Sequence, residues 1–353
     1  MMQRIDVGVL GATGTVGQRF VQLLDGHPWF EVSALAASER SAGQRYADAC
    51  AWKLPTPMPE AVGDLVVSEP TPRAIDAPVV FSGLTSDAAP SVEPAFAEAG
   101  HAVISNASPF RMAPDVPLLI PEINADHVDL IETQRRARGW PGFIVTNPNC
   151  STIALCLALA PLEDQFGIDQ VVATTLQAIS GAGYPGLPSL DIMGNVLPNI
   201  PKEETKMESE TRKIFGQLTG DQFETHEMAL SVTTTRVPVV EGHTESVSIS
   251  LADHPAIEEV QAALHAYRSL PQERDLPSAP CQPVVVTDDP DRPQPRLDND
   301  LEAGMATVVG RLRPCPVLGV KLVLLGHNTL RGAAGASVLN AELLHAQGVL
   351  PRS

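Results

Sequence analysis

Asn147-Pro148-Asn149-Cys150-Ser151-Thr152 carries the strongest chemical signal in the chain. A strand ends there, Pro148 sets a turn, and Cys150 opens a strongly apolar helix. The helix dipole and unpaired N–H groups favour a thiolate at that end, so Cys150 is expected to be an acidified nucleophile, the alternative being a small buried cysteine. Cys156 lies six residues further inside the same helix and reads as structural, while Cys50, Cys281 and Cys315 have no comparable setting. A thiol nucleophile needs a proton-transfer partner. Of nine histidines, His243 stands out, because Glu241-Gly242-His243 makes a turn between two strand-like runs; an ordinary exposed loop histidine fits equally well. Arg236, seven residues earlier, is expected to approach His243 in a hairpin-like arrangement, where its planar fork suits a substrate carboxylate. A surface ion pair is the plain alternative.

The elements that position these residues begin with Val7–Leu10, an apolar run that meets Gly11-Ala12-Thr13-Gly14-Thr15-Val16-Gly17, after which Val16, Phe20, Val21 and Leu24 recur at helical spacing. Strand, glycine turn and helix in that order let backbone N–H groups approach a pyrophosphate at a positive helix end, a dinucleotide-binding arrangement. The second strand, Val32–Ala36, runs into Ala37-Ser38-Glu39-Arg40-Ser41. Ser38, Arg40 and Ser41 suit the 2′-phosphate of NADP, whereas Glu39 leaves room for NAD. Pro78–Phe81, Ala102–Ser105 and Phe143–Val145 continue as strands, with helix-like stretches such as Thr85–Glu98 between several of them. This alternation predicts an α/β fold with a doubly wound parallel sheet.

Past Cys150 the texture changes. Ser151–Leu162 reads as an apolar helix, and Gln170–Ala178, Met228–Val240 and Thr244–Leu251 read as longer strands, the last alternating Val247, Ile249 and Leu251 with serines. A second, α+β domain with a mainly antiparallel sheet is expected over 150–329, and a dinucleotide-binding domain over 1–149, completed by a final helix within 330–353. Gly181–Pro201 and Gln272–Pro295 read as irregular, the first as an active-site or interface loop.

Composition narrows the classes. A chain of 353 residues holds about two domains. Lys+Arg 24 against Asp+Glu 42 gives a net charge of −18, which disfavours nucleic acid and anionic membrane surfaces. No apolar run approaches the ~20 residues of a membrane span. The N-terminus lacks signal-peptide features, and five cysteines without a Cys-x-x-Cys pair suit a reducing compartment, so a cytoplasmic, metal-free protein is expected.

The glycine turn, Ser105-Asn106-Ala107-Ser108-Pro109-Phe110-Arg111, Asn147–Ser151, Glu203-Glu204-Thr205-Lys206, Arg236 with His243, and Arg331-Gly332-Ala333-Ala334 occur in the order seen in aspartate-semialdehyde dehydrogenases. Together they resemble the archaeal and fungal branch of that family over nearly the whole chain. The resemblance implies NADP-dependent, reversible reductive dephosphorylation of 4-aspartyl phosphate to aspartate 4-semialdehyde through a Cys150 thioester, in lysine, threonine and methionine synthesis. It implies an acid/base role for His243 and an orienting role for Gln177. It also implies carboxylate binding by Arg236, ammonium binding by Glu203, and phosphate binding by Lys206 and Arg111. Cofactor contacts would come from Gly11, Thr13, Gly14, Thr15, Val16, Ser38, Arg40, Ser41, Ser180, Gly181 and Asn328, and the assembly would be a homodimer or homotetramer. Malonyl-CoA reductases share the fold and the Cys–His chemistry, but Glu203 has no use on a substrate without an ammonium group. N-acetylglutamyl-phosphate reductases differ in having a glycine before the cysteine. A catalytically silent, cofactor-binding paralogue is the alternative of another class.

Overall fold

The computed structural model describes residues 4–220 and 222–350. Its first half is a six-stranded sheet of β1 (Ile5–Leu10), β2 (Phe30–Ala36), β3 (Val67–Ser68), β4 (Val79–Ser82), β5 (Ala102–Ser105) and β6 (Phe143–Thr146). The spatial order is β3-β2-β1-β4-β5-β6 and every pair is parallel. Parallel strands need covering on both faces, and the short, continuously apolar runs of β4, β5 and β6 are buried at every position. Helices α1 (Thr15–Leu24), α2 (Ala89–Glu98) and α3 (Leu130–Arg138) cross between strands. The second helix starts later than the Thr85–Glu98 expected, with Pro90 in its first turn, where a missing N–H costs nothing. Order reverses between β1 and β4, so the carboxyl ends of those strands open the crevice where ligands bind in such sheets.

The first half leads directly into α4 (Cys150–Phe166), buried from Ser151 to Leu162. A helix apolar all round must be enclosed, and α4 contributes to two packed clusters, one beneath the second sheet and one against the 118–120 segment. That second sheet contains β7 (Ile168–Gln177), β10 (Ala229–Arg236), β11 (His243–Leu251), β12 (Val284–Val286), β13 (Thr307–Cys315) and β14 (Gly319–Gly326), in the order β10-β7-β11-β14-β13-β12. A separate hairpin pairs β8 (Gln217–Thr219) with β9 (Gln222–Glu224), after α5 (Glu203–Ile214). The pairs β10–β7 and β12–β13 are parallel and the remaining three antiparallel.

Two expectations need correction. The 228–240 run is a strand only to Arg236, because Pro238 cannot donate to a ladder. The 272–295 stretch is not wholly irregular, since Val284–Val286 forms edge strand β12. Helix α6 (Ile257–Ala266) covers this side, and α7 (Gly335–Ala346) returns to the first half, where Val338, Leu339, Leu343 and Leu344 join its core. This final helix begins after an irregular turn over Leu330–Ala334, and 351–353 lie outside the described residues. No helix among the described residues is long and apolar enough to cross a membrane.

Candidate active site

Asn149 caps α4, its side-chain oxygen accepting from the N–H groups of Ser151 (3.0 Å) and Thr152 (3.4 Å). A capping asparagine fixes the turn by satisfying helix donors that have no partner within the helix. Cys150 is thereby held at the first helical position, partly exposed to a cavity of about 590 Å³ between the two halves. His243 opens β11, and its Nε2 lies 3.3 Å from Cys150 Sγ. The backbone N–H of Ala178 donates to His243 Nδ1 at 3.0 Å. Since Nδ1 is an acceptor, the neutral ring carries its proton on Nε2, facing the sulfur.

The expected acidification of Cys150 does not hold in this state. Burial, reinforced by the nearby Glu203 carboxylate, pushes the thiol up to about 12, against the pull of Arg236, Arg111 and the Ser151 N–H. Desolvation outweighs the helix end. Burial and the charges of Arg236 and His327 push His243 the other way, down to about 3, so the resting pair is neutral thiol and neutral imidazole. Glu245 follows two residues later on the same buried face of β11, with neither carboxyl oxygen partnered. Burial and then Glu203 hold its carboxyl well above the usual range.

Arg236 reaches the same cavity, though not through a hairpin. Strand β7 inserts between β10 and β11, pairing Arg236 with Gln177 on one side and Thr244 with Leu176 on the other. A six-residue connection, 237–242, thus bridges strands that are not neighbours, and the last residue of one lies near the first of the other. Arg236 Nη1 donates to the Ala178 carbonyl at 2.6 Å, so the backbone of one residue, through its N–H and its C=O, anchors both His243 and Arg236. Gly181 passes beside them. A Cβ there would stand 2.7 Å from Arg236 Nη1 and 3.1 Å from the His243 ring. Gly332 lies equally close on the far side, where a Cβ would be 2.6 Å from that of Cys150. The π-helical turn over Leu330–Ala334 makes this approach, a local irregularity common at functional sites.

Opposite charges complete the cavity. Glu203 accepts from Asn149 Nδ2 at 2.8 Å and lies 3.9 Å from Lys206, one helical turn on, so the pair shares a face of α5. Arg111 comes from the loop after β5, its Nη2 donating to the Asn106 carbonyl at 2.8 Å. Asn149, Cys150, Glu203, Lys206, Arg111 and Arg236 all line the cavity, whereas Gln177 and the fully buried His243 do not, His243 touching it through Cys150. Gln177 is buried at the end of β7, with its amide nitrogen 3.3 Å from Thr175 Oγ1.

The dinucleotide residues form an open shelf. Gly11 takes φ +74°, and a Cβ at Gly17 would sit 2.2 Å from the Gly11 carbonyl oxygen, so the turn packs as closely as backbone allows. No side chain caps α1 behind Gly14, so the first N–H groups of the helix have no side-chain acceptor there, which suits an anionic ligand. Thr13, Thr15 and Val16 are half-buried along this turn. Ser38 and Arg40 are exposed and Ser41 half-buried at the end of β2, on the same side of the sheet. A smaller cavity joins Thr15 and Val16 to Ser180, Gly181, Asn328 and Cys150. Asn328 is held at both ends, accepting from the Gly242 N–H and donating to Ser180 Oγ, each at 2.8 Å.

Two residues escaped the sequence reading. Glu210 and Lys213 extend the Glu203–Lys206 stripe along α5, and both are buried. Their spacing, with charges at 203, 206, 210 and 213, was the available signal. Among the described residues, no group of His, Cys, Asp or Glu has the arrangement of a metal site.

Residues 6–131 match the family described as semialdehyde dehydrogenase, NAD binding domain, and residues 159–331 the semialdehyde dehydrogenase, dimerisation domain. An aspartate-semialdehyde dehydrogenase of Methanothermobacter thermautotrophicus is 53% identical, over 97% of this chain and 99% of its own. The chain belongs to the aspartate-semialdehyde dehydrogenase family. The Cryptococcus neoformans member is 50% identical over 98% of each chain. The crystal structure of the Candida albicans aspartate-semialdehyde dehydrogenase with NADP superposes with a TM-score of 0.91 at 45% identity, covering 99% of this chain and 100% of that one.

Proposed function

We infer that the chain is an NADP-dependent aspartate-semialdehyde dehydrogenase that reductively dephosphorylates 4-aspartyl phosphate. The observation that carries this is a thiol 3.3 Å from an imidazole nitrogen, in one cavity with Glu203, Arg236, Arg111 and Lys206. Such a set matches an amino acid bearing an acyl phosphate: Arg236 meets the α-carboxylate, Glu203 the α-ammonium group, and Arg111 with Lys206 the phosphate.

Cys150 Sγ attacks the acyl carbon; a C–S bond forms, the C–O bond to phosphate breaks, and the phosphate leaves between Arg111 and Lys206, carrying the thiol proton away as hydrogen phosphate. When bound, the nicotinamide supplies the hydride that reduces the thioester. The C–S bond of the resulting thiohemiacetal then breaks, releasing the semialdehyde. His243 stabilises the departing thiolate through Nε2–H, and a proton taken up from solvent restores the thiol. Gln177, at the end of β7, orients the acyl group in this scheme. Of the cofactor, Gly11, Thr13 and Gly14 to Val16 hold the pyrophosphate, Ser38, Arg40 and Ser41 the 2′-phosphate, and Ser180, Gly181 and Asn328 the nicotinamide end. Residues 1–149 with the C-terminal helix serve as the cofactor domain and 150–329 as the catalytic one.

The assembly is a homodimer through the second domain. Supporting this are its match to a dimerisation domain and exposed apolar side chains on the outer face of β7 and nearby loops, Val172, Leu176, Tyr184, Leu190, Met193 and Val240. A monomeric mass in light scattering would overturn it. Five free cysteines support a reducing, cytoplasmic setting.

The test of the activity is NADP reduction with aspartate semialdehyde and phosphate, run beside NADPH oxidation with malonyl-CoA. Phosphate-dependent turnover in the first assay alone is expected. Turnover only with the thioester would overturn the substrate and the part given to Glu203.

A further inference from the structure

We propose that Glu210 is a positioning residue of the phosphate subsite, holding the Arg111 guanidinium in fixed relation to the nucleophile's turn. This rests on the proposed function. Glu210 is 1% exposed and lies one turn beyond Lys206 on α5. Its Oε1 accepts from Arg111 Nη1 at 3.1 Å, and its Oε2 accepts from the backbone N–H of Asn149 at 2.6 Å. One carboxylate therefore joins the cation that meets phosphate to the residue before Cys150.

The rest of the guanidinium fits this part. Nη2 is taken by the Asn106 carbonyl and Nη1 by Glu210, while Nε is buried without a partner. Nε is thus closed to solvent, whereas Arg111 lines the cavity and each of its Nη atoms has a second N–H beyond the one these contacts use. The backbone on the other side of Arg111 is fixed as well. Lys213, one turn beyond Glu210, donates from Nζ to the carbonyls of Arg111, Ala113 and Val116 at 2.7, 2.8 and 2.8 Å. Helix α5 thus carries phosphate and ammonium partners at 206 and 203 and the braces of the phosphate loop at 210 and 213.

A carboxylate is the side chain this position requires. Two donors converge on it from different segments, and an ionised carboxylate accepts on both oxygens. Glutamine would turn its NH2 group toward Arg111 Nη1 or toward the Asn149 N–H, releasing one of the two. Aspartate keeps both acceptors but retracts them by one methylene.

The experiment compares wild type, Glu210→Gln and Glu210→Asp in phosphate-dependent oxidation of aspartate semialdehyde, varying phosphate and semialdehyde separately and recording the melting temperature of each protein. Glu210→Gln is expected to raise the KM for phosphate by about tenfold or more, the range of a lost charge-assisted hydrogen bond, with semialdehyde KM within about twofold. Glu210→Asp should recover part of the phosphate KM. An unchanged phosphate KM, or both KM values rising together with a lower melting temperature, would make Glu210 a packing residue and overturn the proposal. Failure of both variants to fold would have the same meaning. A wild type without phosphate-dependent activity would instead remove the functional reading on which the proposal rests, and the proposal with it.

Discussion

The nucleophile centre and the dinucleotide shelf are built on opposite principles. Around Cys150 nearly every working side chain is buried and tied to another part of the chain: His243 and Arg236 to the Ala178 backbone, Glu203 to Asn149, Arg111 to Asn106 and Glu210. At the shelf, the proposed contacts are largely backbone, and Ser38 and Arg40 stand in solvent. The first arrangement fixes charges before substrate arrives. The second leaves the shelf open for a large cofactor to enter and leave. Substitutions at the two places should therefore differ in size and in the constant they move.

The largest effect is expected from His243→Asn, which should cut turnover by about 10²–10⁴-fold while leaving semialdehyde binding in place. Unchanged turnover would remove His243 from the chemistry. Gly181→Ala follows. Its Cβ would press on Arg236 and the His243 ring, and because Arg236 is braced against Ala178 it cannot withdraw freely, so kcat/KM should fall by about 10²-fold. A silent Gly181→Ala would mean that the centre yields and is not pre-set. Arg236→Lys should raise semialdehyde KM by about tenfold with less change in kcat, since a point charge cannot reproduce a two-pronged carboxylate contact. If phosphate KM moved instead, the roles of Arg236 and Arg111 would be exchanged.

Titration of the thiol sharpens the same contrast. With Cys150 pushed up to about 12, its alkylation by iodoacetamide in the free enzyme should climb about tenfold per pH unit, with no plateau below about pH 9. A plateau near neutrality would show that the helix end prevails over burial. The smallest effect belongs to the shelf. Arg40→Ala, at an exposed position, should raise the KM for NADP by about tenfold at most and leave kcat unchanged. Equal use of NAD and NADP by wild type would remove the 2′-phosphate role altogether.

What the sequence disclosed follows the same division. The glycine turn and the helix opened by Cys150 are local, written in spacing that any short window displays, and the parallel sheet follows from alternating runs. Relations across the fold were less legible. Arg236 and His243 are brought together because β7 inserts between their strands, a pairing that their separation in sequence does not encode. The raised pKa of Cys150 depends on Glu203, more than fifty residues away, and on enclosure that no local pattern reports. Glu210 and Lys213 continue a charged helix in sequence, and only the fold brings Arg111 and its loop onto them. Gln177 received its role only through family resemblance, and its place at the end of β7, beside Arg236 in register, is a fact of the sheet.

The most direct test of a pre-set nucleophile centre is a single-turnover experiment, mixing the enzyme with aspartate semialdehyde and NADP in the absence of phosphate. A thioester on Cys150 predicts a rapid burst of about one equivalent of NADPH per chain, then a stall relieved by adding phosphate, with no burst from Cys150→Ser. No burst from wild type, or the same burst from Cys150→Ser, would contradict the account.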